Sequence, residues 1–142
     1  MRANDAGGGF ASARALLAYP EFYKVAVSLS GNHDQRAYLL VWGPTYQGTD
    51  DAAELEKASN VSLAGNLRGK LLLMHGELDD NVHPALTMRL ADALIAAGKD
   101  FECLILPGED HMLTRGSLPY VHRKTFDYFV RHLLGTGLDA VG

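Results

Sequence analysis

Cysteine is almost absent from this 142-residue chain. Cys103 stands alone, so no intrachain disulfide can form and no cysteine metal site has a second ligand. Placed inside the apolar run Phe101-Glu102-Cys103-Leu104-Ile105-Leu106, it reads as a small buried core residue. Long apolar segments are missing too: none reaches the length of a membrane span, and Met1 to Asp5 leads into glycines rather than into a signal peptide's apolar region. The reading is of a soluble chain with no membrane partner and no export signal of its own. Positive charge is in short supply, with 13 lysines and arginines against 17 acids and a formal net charge of -4, and the basic residues are dispersed. That leaves no electrostatic footprint for a phosphate backbone and argues against nucleic acid. Gly7-Gly8-Gly9 lacks both the Gly-Lys-Ser/Thr and the spaced dinucleotide pattern, so no phosphate-bearing cofactor is implied.

What the chain does have is apolar content, 47%, enough for one ordinary domain spanning 1–142. The glycine run reads as a turn feeding an alanine-rich helix that Pro20 stops, and it also suits a backbone that must bend sharply or approach another segment. Tyr23 to Gly31 reads as a buried strand. Beyond it Tyr38, Trp42 and Tyr46 recur at a spacing of four, which on a helix lines one face with aromatics; core packing and an aromatic pocket are both consistent with this. Gly48 to Gly69 is polar and reads as a surface connection around a short helix, and Asn60-Val61-Ser62 matches a glycosylation pattern that carries no weight without a secretory signal.

Leu71 to Gly76 is a second apolar run, stopped by Glu77-Leu78-Asp79-Asp80-Asn81-Val82-His83-Pro84. Pro84 opens an amphipathic helix with Leu86, Leu90, Leu94 and Ala97 on one stripe and Gly98 as its stop. A third strand follows over Phe101 to Leu106 and ends in Pro107-Gly108-Glu109-Asp110-His111. Pro119 to Leu134 then forms a helix with Phe126, Phe129, Val130 and Leu133 along one face. Strands alternating with helices predict an α/β fold with a parallel sheet of about three strands and flanking helices.

In a parallel sheet all strand ends lie along one edge, and function collects there. Three polar clusters meet on that edge: Asn32 to Arg36, Asp79 to His83, and Glu109 to His111. An acid at one strand end and a histidine at the next suit a carboxylate that orients an imidazole and stabilises its protonated form, which makes Asp79 and His111 the candidate pair. Asp80 is left as the acid that caps the following helix. His75, placed before the acids, suits a satisfied core histidine.

Several segments together resemble a known family. These are Gly7-Gly8-Gly9-Phe10-Ala11-Ser12, Ala26-Val27-Ser28, Gly31-Asn32-His33-Asp34, Tyr46-Gln47-Gly48, His75-Gly76-Glu77-Leu78-Asp79-Asp80-Asn81-Val82-His83 and Asp110-His111. In order and spacing they resemble the carboxyl-terminal part of the catalytic α/β-hydrolase domain of the prolyl oligopeptidase family of serine peptidases, especially its dipeptidyl peptidase IV branch. The resemblance implies a peptide substrate cut after proline or a small residue, and no cofactor or metal. It implies Asp79 as triad acid and His111 as triad base. Tyr38 and Trp42 fall at aromatic positions of the pocket that receives the residue before the cleaved bond, Asn81 and Val82 at substrate-contacting positions, and the Gly7 N–H at one half of the oxyanion hole.

One departure stands out. The family's Gly-x-Ser-x-Gly elbow aligns with Asn4-Asp5-Ala6-Gly7-Gly8, so Ala6 holds the nucleophile position and offers no oxygen to attack a carbonyl. The expectation is a truncated peptidase domain, inactive alone. Its uncovered sheet edge and uncovered face are expected either to pair with another chain, with a homo-oligomer through the edge as one such assembly, or to leave the chain poorly stable alone. Two alternatives stand beside this reading: a non-catalytic binding module that keeps the aromatic pocket, and an esterase-like hydrolase using a different nucleophile.

Overall fold

Three short apolar runs hydrogen-bond into one parallel sheet. The computed structural model describes residues 6–35 and 52–134. Strand β1 (Val25–Leu29) pairs with β2 (Lys70–Gly76), and β2 pairs with β3 (Glu102–Leu106), so β2 is central and the order follows the sequence. Between them lie helix α1 (Ala6–Ala18), α2 (Ala52–Ala58), a 3-10 turn (Val61–Asn66), α3 (Ala85–Ala96) and, after β3, α4 (Leu118–Leu134).

Alternation along β2 builds a core on each face of the sheet. Leu71 and Leu73 point to one side, where Leu16 and Leu17 of α1, Ala64 and Leu67 near the 3-10 turn, and Leu90 and Leu94 of α3 close over them. Leu72 and Met74 point to the other, against Leu29, Leu106, Leu113, and Val121 and Tyr128 of α4. Six of the seven β2 residues are buried, as the near-continuous apolar run of a doubly covered strand requires. Helices therefore lie on both faces, and the uncovered face expected from the sequence is not found among the described residues. No helix among them is long and apolar enough to cross a membrane.

Four local expectations are corrected. The glycines do not precede α1 but lie within its first turn. A Cβ on Gly9 would stand 2.3 Å from the Leu29 carbonyl oxygen and 2.9 Å from Gly31 Cα, so glycine is what lets the helix start sit on the end of β1. Cys103 is exposed, because β3 is an outer strand. On α4 the packed positions are Val121 and Tyr128, while Phe126 (61%) and Leu133 (58%) face outward. Nor is the connection before β2 all surface: Leu55, Ser59 and Asn60 are buried, so the Asn60 side chain is not presented as a glycosylation acceptor.

Candidate active site

The parallel register brings the carboxyl ends of the strands together, with Leu29 opposite Met74 and Gly76 opposite Leu106. The turn after β2 is built around one carboxylate. Asp79 Oδ1 accepts the N–H groups of Asn81 (3.0 Å) and Val82 (2.8 Å), the self-wound turn that aspartate favours. Asp79 Oδ2, on the opposite side, lies 2.7 Å from His111 Nδ1 and 3.2 Å from His75 Nε2. Four donors thus converge on a fully buried side chain. Burial by itself would raise the Asp79 carboxyl, but the hydrogen bonds from His75, His111 and Val82 outweigh it and hold the group below the ordinary aspartate value.

His111 is delivered by a loop that two acids wind into shape. The buried Glu109 accepts Arg115 N–H (3.0 Å) and Ser117 N–H (2.9 Å). Asp110 accepts Met112 N–H, Thr114 N–H and the Thr114 hydroxyl, the last at 2.6 Å. Hydrogen bonds from Ser117 to Glu109, and from Thr114 to Asp110, lower both carboxyls. The loop is then tied to the turn after β2, since Leu78 N–H donates to the Glu109 carbonyl (2.9 Å) and Gly108 N–H to Glu77 Oε2 (2.8 Å). With its Nδ1 turned to Asp79, the His111 ring directs Nε2 the other way. The His111 side chain is 13% exposed, against none for Asp79. A buried carboxylate behind a part-exposed imidazole can fix the Nδ1–H tautomer, leave Nε2 as a proton acceptor and stabilise the imidazolium when it forms.

The cluster after β1 does something else. His33 is fully buried, with Nδ1 3.0 Å from Asn60 Nδ2 and Nε2 3.1 Å from Ser28 Oγ. Asn60 Nδ2 also donates to the Phe10 carbonyl, which fixes the amide as the donor and His33 Nδ1 as the acceptor. His33 must then donate from Nε2 to Ser28, whose hydroxyl donates onward to Gly9 O at 2.8 Å. This serine–histidine–asparagine chain has the proton on the wrong nitrogen to activate a serine. Burial, reinforced by the neighbouring His75, drives the His33 pKa down to about 3, so the ring stays neutral. Asp34 pairs with Arg89 of α3 at 2.6 Å, and Gln35 N–H donates to Ser59 Oγ at 2.8 Å. This cluster staples β1 to its neighbours rather than converging on Asp79.

The remaining predicted residues divide. Asn81 is exposed at the turn, and Val82 beside it is fully buried, its carbonyl 2.6 Å from His75 Nε2. Ala6 and Gly7 fall in the first turn of α1, where helix N–H groups lack partners within the helix. Tyr38, Trp42, Tyr46 and Arg36 lie outside the described residues. Asp80 makes no cap for α3; His83 Nδ1 accepts the Ala85 N–H at 3.1 Å instead. His75, read from the sequence as a core histidine, is buried but also touches the acid. Its period along β2, one step beyond Leu71 and Leu73, was the signal that it faces the α3 side. Among the described residues no group of histidine, cysteine and carboxylate side chains is arranged to hold a metal ion.

The profile of the prolyl oligopeptidase family matches residues 6–136. The chain belongs to the prolyl oligopeptidase family. Within it, dipeptidyl peptidase family member 1 of Caenorhabditis elegans is 34% identical over 132 residues, 91% of this chain and 16% of that protein. Dipeptidyl peptidase 4 of Felis catus is 31% identical over 114 residues, covering 77% of this chain and 15% of the relative. The chain therefore spans about a sixth of the relatives it matches. Among solved structures, dipeptidyl peptidase 4 of Porphyromonas gingivalis superposes with a TM-score of 0.75 at 26% identity, over 84% of this chain and 17% of that one. The fold is that of α/β-hydrolase peptidases, with three parallel strands and flanking helices.

Proposed function

We propose that this chain supplies the acid and base of a serine-peptidase charge relay, with Asp79 orienting His111 and His111 Nε2 serving as the proton acceptor. The observation that carries the reading is the 2.7 Å contact from Asp79 Oδ2 to His111 Nδ1, made by a carboxylate that is buried and saturated with donors. Membership of the prolyl oligopeptidase family and the dipeptidyl peptidase relatives support a peptide as the substrate, and we read the cleaved bond as the one after proline or a small residue. Asn81 would stand beside that substrate, with Tyr38 and Trp42 as the walls of its pocket, while the fully buried Val82 supports the turn from behind rather than touching the substrate.

Ala6 at the nucleophile position makes the 142-residue chain inactive by itself. Its place at the start of α1 suits an elbow, with the Gly7 N–H directed at an oxyanion, but the attacking oxygen is lacking. Ser28 is no substitute, being buried with its hydroxyl proton committed to Gly9 O. Incubation of the purified chain with a fluorophosphonate probe tests this. No labelling is expected. Labelling that disappears when one serine is substituted would overturn the reading and favour an esterase-like site with another nucleophile.

A further inference from the structure

Among the described residues, His75 is the one ionisable side chain in contact with Asp79 for which the acid–base reading has no use. It sits on the central strand, fully buried, and both ring nitrogens are engaged. Nε2 lies 2.6 Å from the Val82 carbonyl oxygen and 3.2 Å from Asp79 Oδ2. Nδ1 lies 2.7 Å from Thr87 Oγ1, on the buried face of α3. A carbonyl oxygen only accepts, so Nε2 carries a proton in either charge state of the ring. That proton is shared between Val82 O and Asp79 Oδ2. In the neutral ring Nδ1 then takes the Thr87 hydroxyl proton.

These contacts close a loop of interactions around the acid. His75 holds the carbonyl of Val82, and the N–H of the same residue holds Asp79 Oδ1 at 2.8 Å. His75 also reaches Asp79 Oδ2 directly, the oxygen that faces His111. Rotation of the carboxylate would break contacts on both oxygens at once. Thr87 anchors the ring from α3, so the acid is referenced to the sheet and to a helix rather than to its own turn alone.

We infer that His75 is a positioning residue: through its Nε2–H it locks the Asp79 carboxylate in the orientation that receives His111 Nδ1–H. This rests on the reading of Asp79 and His111 as acid and base. Its consequence is that loss of the His75 donor loosens the Asp79–His111 hydrogen bond while leaving both partners present. Catalytic contact with substrate is no part of the role.

Solution NMR of the 142-residue chain tests it, through the imidazole nitrogens and the exchange rate of the His111 Nδ1 proton at fixed pH. In His75→Leu, that proton should exchange about tenfold faster, the effect of losing one hydrogen bond to a charged group. His75→Gln, whose amide can donate to both Val82 O and Asp79 Oδ2, should restore most of the protection. Thr87→Val, which keeps the shape and removes only the hydroxyl, should give an intermediate loss and serves if His75→Leu does not fold. Unchanged exchange in Thr87→Val and in a folded His75→Leu would overturn the inference, as would equal losses in the leucine and glutamine variants. If the His111 Nδ1 proton of the unaltered chain is indifferent to Asp79→Asn, the acid–base reading itself has failed, a result separable from failure of His75 alone.

Discussion

Gly76 and Glu109 touch because Gly76 has no side chain. A Cβ there would stand 2.6 Å from the Glu109 carbonyl oxygen and 2.7 Å from that of Asp110. Strand β2 thus ends on a residue that lets the histidine-bearing loop settle against it, and Leu78 N–H, two residues on, hydrogen-bonds the same Glu109 carbonyl. The separation of Asp79 from His111 is set as much by this backbone contact as by the two side chains.

Gly76→Ala should therefore act on both stability and geometry. Backbone atoms cannot swing aside as a flexible side chain would, so the loop must move. An overpacking cost of about 1–3 kcal/mol is expected, read as a lower urea midpoint. Amide exchange at Leu78 should accelerate, since its bond to Glu109 is the first to lengthen.

Removing the acid has a different signature. Asp79→Ala leaves the buried Val82 N–H and the part-buried Asn81 N–H and His111 Nδ1–H without their acceptor, while His75 keeps the Val82 carbonyl, for a loss of roughly 2–4 kcal/mol at neutral pH. The pH dependence follows from the sign of the shift. The folded carboxyl lies below its ordinary value of 3.8, so its contribution is complete above that pH and disappears as pH falls through the folded value. In Asp79→Ala the acid limb of the stability profile below about pH 4 should be shallower.

His33 titrates in the same sense but over a higher pH range. Its folded pKa of about 3 lies under the ordinary 6.5, so the unfolded chain takes up a proton that the folded chain refuses. Stability is at its full value above pH 6.5 and declines as pH falls from there toward 3. At pH 5 the loss should be roughly 2 kcal/mol. Urea midpoints measured at pH 7.5 and pH 5 check this, and His33→Gln should flatten the difference while lowering stability at both.

Cys103 offers a chemical check on the edge of the sheet. Exposed on β3, the thiol should react with a water-soluble disulfide reagent in the native chain, without denaturant. Partial burial of the sulfur raises its pKa, so the rate should climb steeply with pH through the alkaline range. A native thiol that reacts only on unfolding would put Cys103 back in the core.

Much of the fold was legible because burial on both faces leaves an apolar run, and Leu71 to Met74 is such a run. The pairing of Asp79 with His111 was legible because parallel strands put their ends together. What escaped depended on position rather than residue type. Nothing in the run Phe101 to Leu106 says that β3 is an outer strand, so Cys103 was read as core. The stripe through Phe126 and Leu133 marks a real amphipathic helix, yet the helix is rotated so that Val121 and Tyr128 pack instead. Gly9 reads locally as a turn former, and only the approach of Leu29 and Gly31 shows that it belongs inside a helix. The His33–Ser28–Asn60 chain joins residues up to 32 positions apart, and His75 reaches Asp79 through three-dimensional placement that periodicity only hints at.

Asp79, through its contact with Nδ1, sets the tautomer of His111. That tautomer is read most directly from the ring-nitrogen NMR spectrum of His111, in the unaltered chain and in Asp79→Asn, under conditions where the ring is neutral. The account predicts a protonated Nδ1 and an unprotonated Nε2 in the unaltered chain, with that preference lost in the variant. A neutral His111 that carries its proton on Nε2, or one whose spectrum is the same with and without the Asp79 carboxylate, would contradict it.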